Sequence, residues 1–441
     1  MMRLVVLFAL AAALTVAAAF GGRLHIVRQQ SDASTDAARE AARWRATGPD
    51  GLNRVLQLQP SDALAANPSP EALAWRSLVD AVAGQREAWA SRLYWYTSLD
   101  DAKEAAEKTG KPILSLRLLG RLTDEHSCAN SRYFRKTLYP NAAVGKFLRE
   151  NFVLHWESVR PVPTVTIDFG DGRTLKRTIT GNSVHYVLDY RGRLVDALPG
   201  LYAPQQFLAA LKPVYELALV VGSRDELFQR MDLSSYHERR IAEIEANLRT
   251  DLQRLGAPVD KAENWHALLY TATLSAGDES TLRQLPSERL LTRRMRSTMP
   301  IPDRDLRIWE LLAQLHQEDV QQDADAMRVI APGARPVQRA NRLAFPKTKT
   351  EERLLANVHL DEFSANRALD FVYNEYALRY KIHWELRNGE TRNRPLADFT
   401  RWCYAEVFLS PLDDPWYGLK SDAYDGYDAS PAPQQTAQAN R

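Results

Sequence analysis

Two cysteines, Cys128 and Cys403, stand in the 441 residues. A thiol attacks as its thiolate, and the positive end of a helix lowers its pKa from about 8.5. Cys128 immediately precedes residues 129–138, which read as helical, so it sits where that help is given. His126 or Arg132 would add positive charge, while Asp124 and Glu125 would oppose it. A lone thiolate can form a mixed disulfide, exchange with glutathione, or isomerise disulfides by attack and release. The competing expectation is an inert thiol, because free cysteines commonly behave as small hydrophobes.

Cys403 lies in Arg401-Trp402-Cys403-Tyr404-Ala405-Glu406-Val407-Phe408, an amphipathic helical stretch, and is expected to be a core thiol. The functional alternative is that it resolves Cys128 across domains. Two cysteines build neither a disulfide framework nor a four-thiolate zinc site. His126-x-Cys128 is half a metal site with no second pair at ligand spacing. His155 and His185 fall on expected strands as packed or edge histidines, and His383-Trp384 ends a helix as a cap or surface pair. Ser158 and Ser183 lack the Gly-x-Ser-x-Gly elbow of a hydrolase nucleophile. Asp413-Asp414-Pro415-Trp416 reads as a turn, and Arg239-Arg240 and Arg293-Arg294 as solvated helix faces. No cofactor and no metal is expected.

The elements that would hold Cys128 alternate. Residues 93–96 are strand-like, Ser98 caps a helix through Asp101, and Gly110 ends it. Strands are expected at 113–116 and 152–155, with helices at 129–138 and 142–150 between them. Residues 164–169 and 173–180 flank Gly170-Asp171-Gly172 as a hairpin, not a phosphate loop, because no helix follows. Strands at 184–189 and 194–197 precede a helix that Pro204 opens. This order argues for a mixed α/β sheet with helices on its faces. Before it, residues 30–90 read as short helices broken at Pro60, Pro68 and Pro70. After it strand signals stop, and helical periodicity runs over 227–255, 265–274, 306–316, 351–384 and 401–409. The tail from 421 is rich in Asp, Tyr, Gly, Ser, Pro and Gln and reads as disordered.

The first residues concern location. Met1-Met2-Arg3 leads into an uncharged run from Leu4 to Phe20, with Ala17-Ala18-Ala19 as small residues for cleavage. A cleaved secretory signal and an uncleaved anchor both fit, and both put the rest outside the cytoplasm. Lys plus Arg total 57 against 55 Asp plus Glu, so no basic excess points to nucleic acid.

The segment 93–219 resembles the thioredoxin-like superfamily, above all the bacterial branch in which a helix and Gly-Lys-Pro precede the first central strand. The matching residues are Ser98-Leu99-Asp100-Asp101-Ala102, Gly110-Lys111-Pro112-Ile113-Leu114, Cys128, Tyr139-Pro140, Val144, Phe147-Leu148 and Asn151-Phe152-Val153. Val187-Leu188-Asp189, Gly192-Arg193, Leu198-Pro199-Gly200-Leu201-Tyr202 and Phe207-Leu208 match the final hairpin and helix. The resemblance implies an active site at Cys128-Ala129-Asn130-Ser131, with Cys128 as nucleophile and Ser131 in the resolving position as a hydrogen-bond donor. Serine cannot resolve a mixed disulfide, so the implied chemistry is monothiol exchange. Gly181-Asn182-Ser183 stands where the family has a cis-proline, and the 164–180 hairpin is an insertion.

The expected organisation is a signal or anchor over 1–22, a helical region over 23–92, a thioredoxin-like domain over 93–223, an all-α domain over 224–420 and a tail over 421–441. The expected function is an exported thioredoxin-like protein with monothiol thiol–disulfide exchange at Cys128. The alternative is a non-catalytic scaffold or binding protein of the cell envelope. The expected partners are protein thiols or disulfides, glutathione, and a protein held by the helical part. Nucleic acid is not among them, and membrane enters only through an uncleaved anchor.

Overall fold

The computed structural model describes residues 36–65, 67–178, 181–256, 306–316 and 368–415. The N-terminal apolar run, the helix expected over 265–274, the first part of that over 351–384, Arg293-Arg294, Trp416 and the tail from 421 lie outside the described residues. Two compact units part between Ala83 and Gly84.

The first unit is helical over 36–45, in α1 (Pro49–Gln57) and in α2 (Pro70–Ala83). Proline is the first residue of both named helices, where its missing N–H costs nothing. Leu52, Val55, Trp75 and Val79 are buried, and the Trp75 indole N–H donates to the Val55 carbonyl at 2.8 Å.

In the second unit, Ser98 Oγ accepts the Asp101 N–H at 3.2 Å and starts α3 (Leu99–Thr109). Gly110 closes it at φ +67°, a left-handed value that a side chain would resist. The chain then runs through β1 (Ile113–Leu119), α4 (Ala129–Tyr133) and α5 (Ala142–Asn151) to β2 (Val153–Arg160). α4 widens into a π-turn over Phe134–Leu138. The hairpin β3 (Thr164–Asp168) and β4 (Thr174–Thr178) follows, then β5 (Ser183–Leu188), β6 (Leu194–Pro199) and α6 (Pro204–Gly222). The helical part comprises α7 (Glu226–Arg254), α8 (Leu306–Leu315), a helical run over 368–386 that ends in α9 (Arg379–Leu386), and α10 (Leu396–Trp402) with a π-turn over Cys403–Val407.

The strand expected at 93–96 does not form. Arg92 turns the chain at φ 57°, and Ser98 must already cap α3. Between them only Tyr96 reaches the sheet, as an isolated bridge to His155. The other expected strands are present, and β3 and β4 form their own two-stranded sheet.

The main sheet has the order β2-β1-β5-β6. β1 is parallel to β2, and β5 is antiparallel to both β1 and β6, so β5 alone opposes the other three. Every residue of β1, β5 and β6 is buried, which requires cover on both faces. Leu116 pairs with His185 on one face, where the Phe134 and Phe207 rings lie 4.7 and 5.2 Å from the imidazole. Ser115 pairs with Tyr186 on the other, where Phe399 of α10 packs 5.6 Å from the Tyr186 ring. The helical part therefore belongs to the core of the sheet.

β6 is an edge strand, and its cover is polar. Asp196, fully buried, takes the Arg379 guanidinium from α9 at 3.0 Å and the Tyr236 hydroxyl from α7 at 2.7 Å. Removing one partner of a buried ion pair leaves an uncompensated charge. Arg379→Met is expected to cost about 3–5 kcal/mol in urea unfolding, and adding Asp196→Asn should recover a substantial part of it. A double variant no more stable than the single one would refute a direct dependence between the two groups.

Candidate functional site

Cys128 is the N-cap residue of α4, as the sequence suggested. Its Sγ accepts the Ser131 N–H at 3.4 Å, the geometry in which the first turn of a helix steadies negative charge. Its own N–H donates to the Leu119 carbonyl at 3.4 Å, tying the helix start to the end of β1. Ser131 is also buried, and its hydroxyl donates to Ser127 Oγ at 2.5 Å and is 3.0 Å from the Cys128 carbonyl. It therefore serves the loop backbone, and the contact with sulfur comes from its amide.

The positive groups expected around the thiol face elsewhere. Arg132 donates to the Ser127 carbonyl at 2.6 Å and to Thr178 of the hairpin at 2.8 Å. His126 is exposed. Arg135, buried, pairs with Glu87 at 2.9 Å.

Cys128 itself is 0% exposed. The strip Gly181-Asn182-Ser183 lies against the start of α4. A Cβ on Gly181 would sit 2.8 Å from Asn130 Oδ1 and 3.0 Å from its backbone nitrogen, so only glycine allows this approach. Asn130 Nδ2 donates to Ser183 Oγ at 2.9 Å. From the C-terminal side, Tyr404 Oη donates to the Asn182 carbonyl at 3.0 Å, and Asn182 Nδ2 donates to Ser410 Oγ at 2.8 Å. The helix that follows Cys128, the 181–183 strip and the 404–410 segment thus form successive hydrogen-bonded layers.

Beside Cys128, Tyr139 shares a hydrogen bond with His185 Nε2 at 2.8 Å. Burial pushes the His185 pKa down to about 3 and keeps the ring neutral. On the opposite face, burial and then Arg117 lower His155 to about 3, and its Nδ1 lies 2.8 Å from Ser115 Oγ. Both histidines are packed, as expected.

Cys403 is buried, and burial pushes its thiol up to about 12. It lies against Tyr186, whose side chain points to the face opposite His185. Cys128 instead neighbours Tyr139 on the His185 side, and both cysteines are free. Resolution of Cys128 by Cys403 does not fit this arrangement.

His383 is not a cap or surface residue. It is fully buried, and only its neighbour Trp384 is exposed. His383 Nδ1 is 2.9 Å from His237 Nδ1 of α7 and 3.8 Å from Asp196 Oδ1. One ligating atom from each of Asp196, His237 and His383 lies within 4.8 Å of the others. Burial lowers the pKa of both rings, His237 to about 4, so they are neutral. Burial would raise the Asp196 pKa, but the Arg379 guanidinium and the Tyr236 hydroxyl beside it reverse this and hold the carboxylate ionised. No local motif announces this cluster, because His237 and His383 are 146 residues apart in sequence.

The chain matches no family model, no curated protein and no solved structure. Among the described residues, no helix is long and apolar enough to cross a membrane.

A buried neutral histidine links folding to pH. The unfolded ring titrates near 6.5 and folded His185 near 3, so stability is present above pH 6.5 and declines as pH falls toward 3. His185→Asn removes that contribution. Its stability against pH should be flatter than wild type by about 1.4 kcal/mol per pH unit across that window, measured by urea midpoints at successive pH values. Parallel curves would show that His185 takes up its proton in the folded state.

Proposed function

We propose that residues 93–223 form a thioredoxin-like domain and that the chain acts outside the cytoplasm as a non-catalytic binding scaffold. The four-strand order with β5 alone reversed supports the fold assignment. So do a cysteine capping the helix after β1 and the 181–183 strip facing that helix. The apolar run at 4–20 supports export.

The observation that carries the scaffold reading is the complete burial of Cys128. Exchange begins with a thiolate reaching a disulfide in line, and a sulfur with no exposed surface cannot be reached. Gly181-Asn182-Ser183 is held by Tyr404 and Ser410, so the chain itself lies on the surface that a substrate peptide would need. A protein partner for the helical part is supported by Leu227, Phe228 and Met231, which stand exposed on α7.

One observation favours monothiol exchange as a second reading: the Ser131 amide already donates to Cys128 Sγ. Under that reading the 404–410 segment must lift before a protein disulfide or glutathione disulfide can meet the thiolate.

Thiol labelling separates the two readings. A chromogenic aromatic disulfide added to the native chain is expected to label Cys128 no faster than the chain unfolds globally, and Cys128→Ser is expected to alter stability alone. Rapid labelling of Cys128 in the folded protein, abolished in Cys128→Ser and accelerated in Tyr404→Phe, would overturn the scaffold reading in favour of gated exchange.

A further inference from the structure

Three elements distant in sequence deliver Asp196, His237 and His383 to one buried point: β6, α7 and α9. Two imidazoles and a carboxylate form a ligand set suited to a divalent first-row metal, and to zinc in particular. We propose that this cluster binds a divalent metal ion of the zinc type, which joins the helical part to the edge of the sheet.

The surroundings are those of a supported ligand set. Asp196 Oδ2 takes the Tyr236 hydroxyl at 2.7 Å and Arg379 at 3.0 Å, while the Ala197 N–H donates to Oδ1 at 2.7 Å. Those contacts fix the carboxylate in orientation, as outer-shell groups do around metal sites, and Oδ1 still faces His383 Nδ1 at 3.8 Å. Among the described residues, His237 Nε2 has no hydrogen-bond partner. Nor, among those residues, has His383 Nε2. Among the described residues, the polar contact of that ring other than Asp196 is thus nitrogen to nitrogen, with His237. A single shared proton can bridge two such nitrogens, but a cation would take the lone pairs of both.

A divalent ion would share the Asp196 carboxylate with the Arg379 guanidinium. Asp196 and Glu375 are opposed by Arg379, and Arg240 adds a longer contact of 3.8 Å to Glu375 from a partly exposed position. Arg379 and Tyr236 engage Oδ2, so the guanidinium and a cation at Oδ1 would bind opposite lone pairs of one carboxylate. Three protein donors leave one tetrahedral position for water. Because all three ligands are buried, the ion would enter as the chain folds and leave slowly. Its role would be structural, and it is independent of any chemistry at Cys128.

The test uses the full chain, unfolded with chelator present, dialysed, and refolded with and without Zn²⁺ or Co²⁺. The expected result is one tightly held equivalent of metal per chain. Refolding with Co²⁺ should give visible d–d bands of a four-coordinate N/O site, and Zn²⁺ should raise the urea midpoint. His383→Gln and His237→Gln should each lose the equivalent, while His316→Gln, at the separate Asp251 contact, should keep it. If either cluster variant fails to fold, the wild-type readouts decide. Wild-type protein that refolds without retained metal, cobalt bands or a zinc-dependent midpoint overturns the proposal. Retention that survives in folded His383→Gln and His237→Gln overturns the assignment to this cluster.

Discussion

A single carboxylate, Asp196, sets the terms on which the second unit can fold. It sits with no exposure on the edge strand of the sheet, where an ionised group left alone would be severely destabilising. It is tolerable because Arg379 and Tyr236 are brought to it from two helices and the Ala197 N–H donates to it. Each needs the other in place: the helices cannot leave without stranding a charge, and the strand cannot be uncovered without exposing a wholly buried edge. Buried pairs of this kind add little net stability over an apolar contact, yet they allow few alternative arrangements. The positions of α7 and α9 against β6 follow from that constraint.

The same logic of full cover explains the state of Cys128. β1, β5 and β6 carry apolar side chains on both faces, and helices or loops must seal both. On one face the seal includes the π-turn after α4, with Phe134 against His185, and α6 with Phe207. Cys128 lies beside Tyr139 of that face, and the 181–183 strip touches the two residues that follow it, Ala129 and Asn130. Tyr404 and Ser410 hold the strip from the other side, and the sulfur has no exposed surface. Local geometry that would suit a thiolate and global packing that denies access to it thus coexist in one loop.

Much of the sheet and its connections could be read from the residues in order. Ser98 and Gly110 bound α3 through a cap and a left-handed closing residue, both local effects. Gly170-Asp171-Gly172 turns the hairpin, with Gly170 and Gly172 at φ 75° and 86°. The strand expected at 93–96 failed for a local reason too, because two turn requirements left it a single bridging residue. Cys128 at a helix start was legible, and so was a buried Cys403. His383 was misread as a cap or surface residue, because one helix taken by itself does not reveal what packs against it.

The sequence by itself determined the alternation of strands and helices, the caps and turns that bound them, and the place of Cys128 ahead of a helix. Those properties depend on periodicity and on residues within a few positions of each other. Only the tertiary structure decided that the thiol is sealed, that Cys128 neighbours Tyr139 on the His185 side while Cys403 lies against Tyr186, and that Asp196, His237 and His383 converge. Burial and convergence are set by which distant faces meet, and Arg379 and Asp196, 183 residues apart, share no local pattern that could announce their meeting.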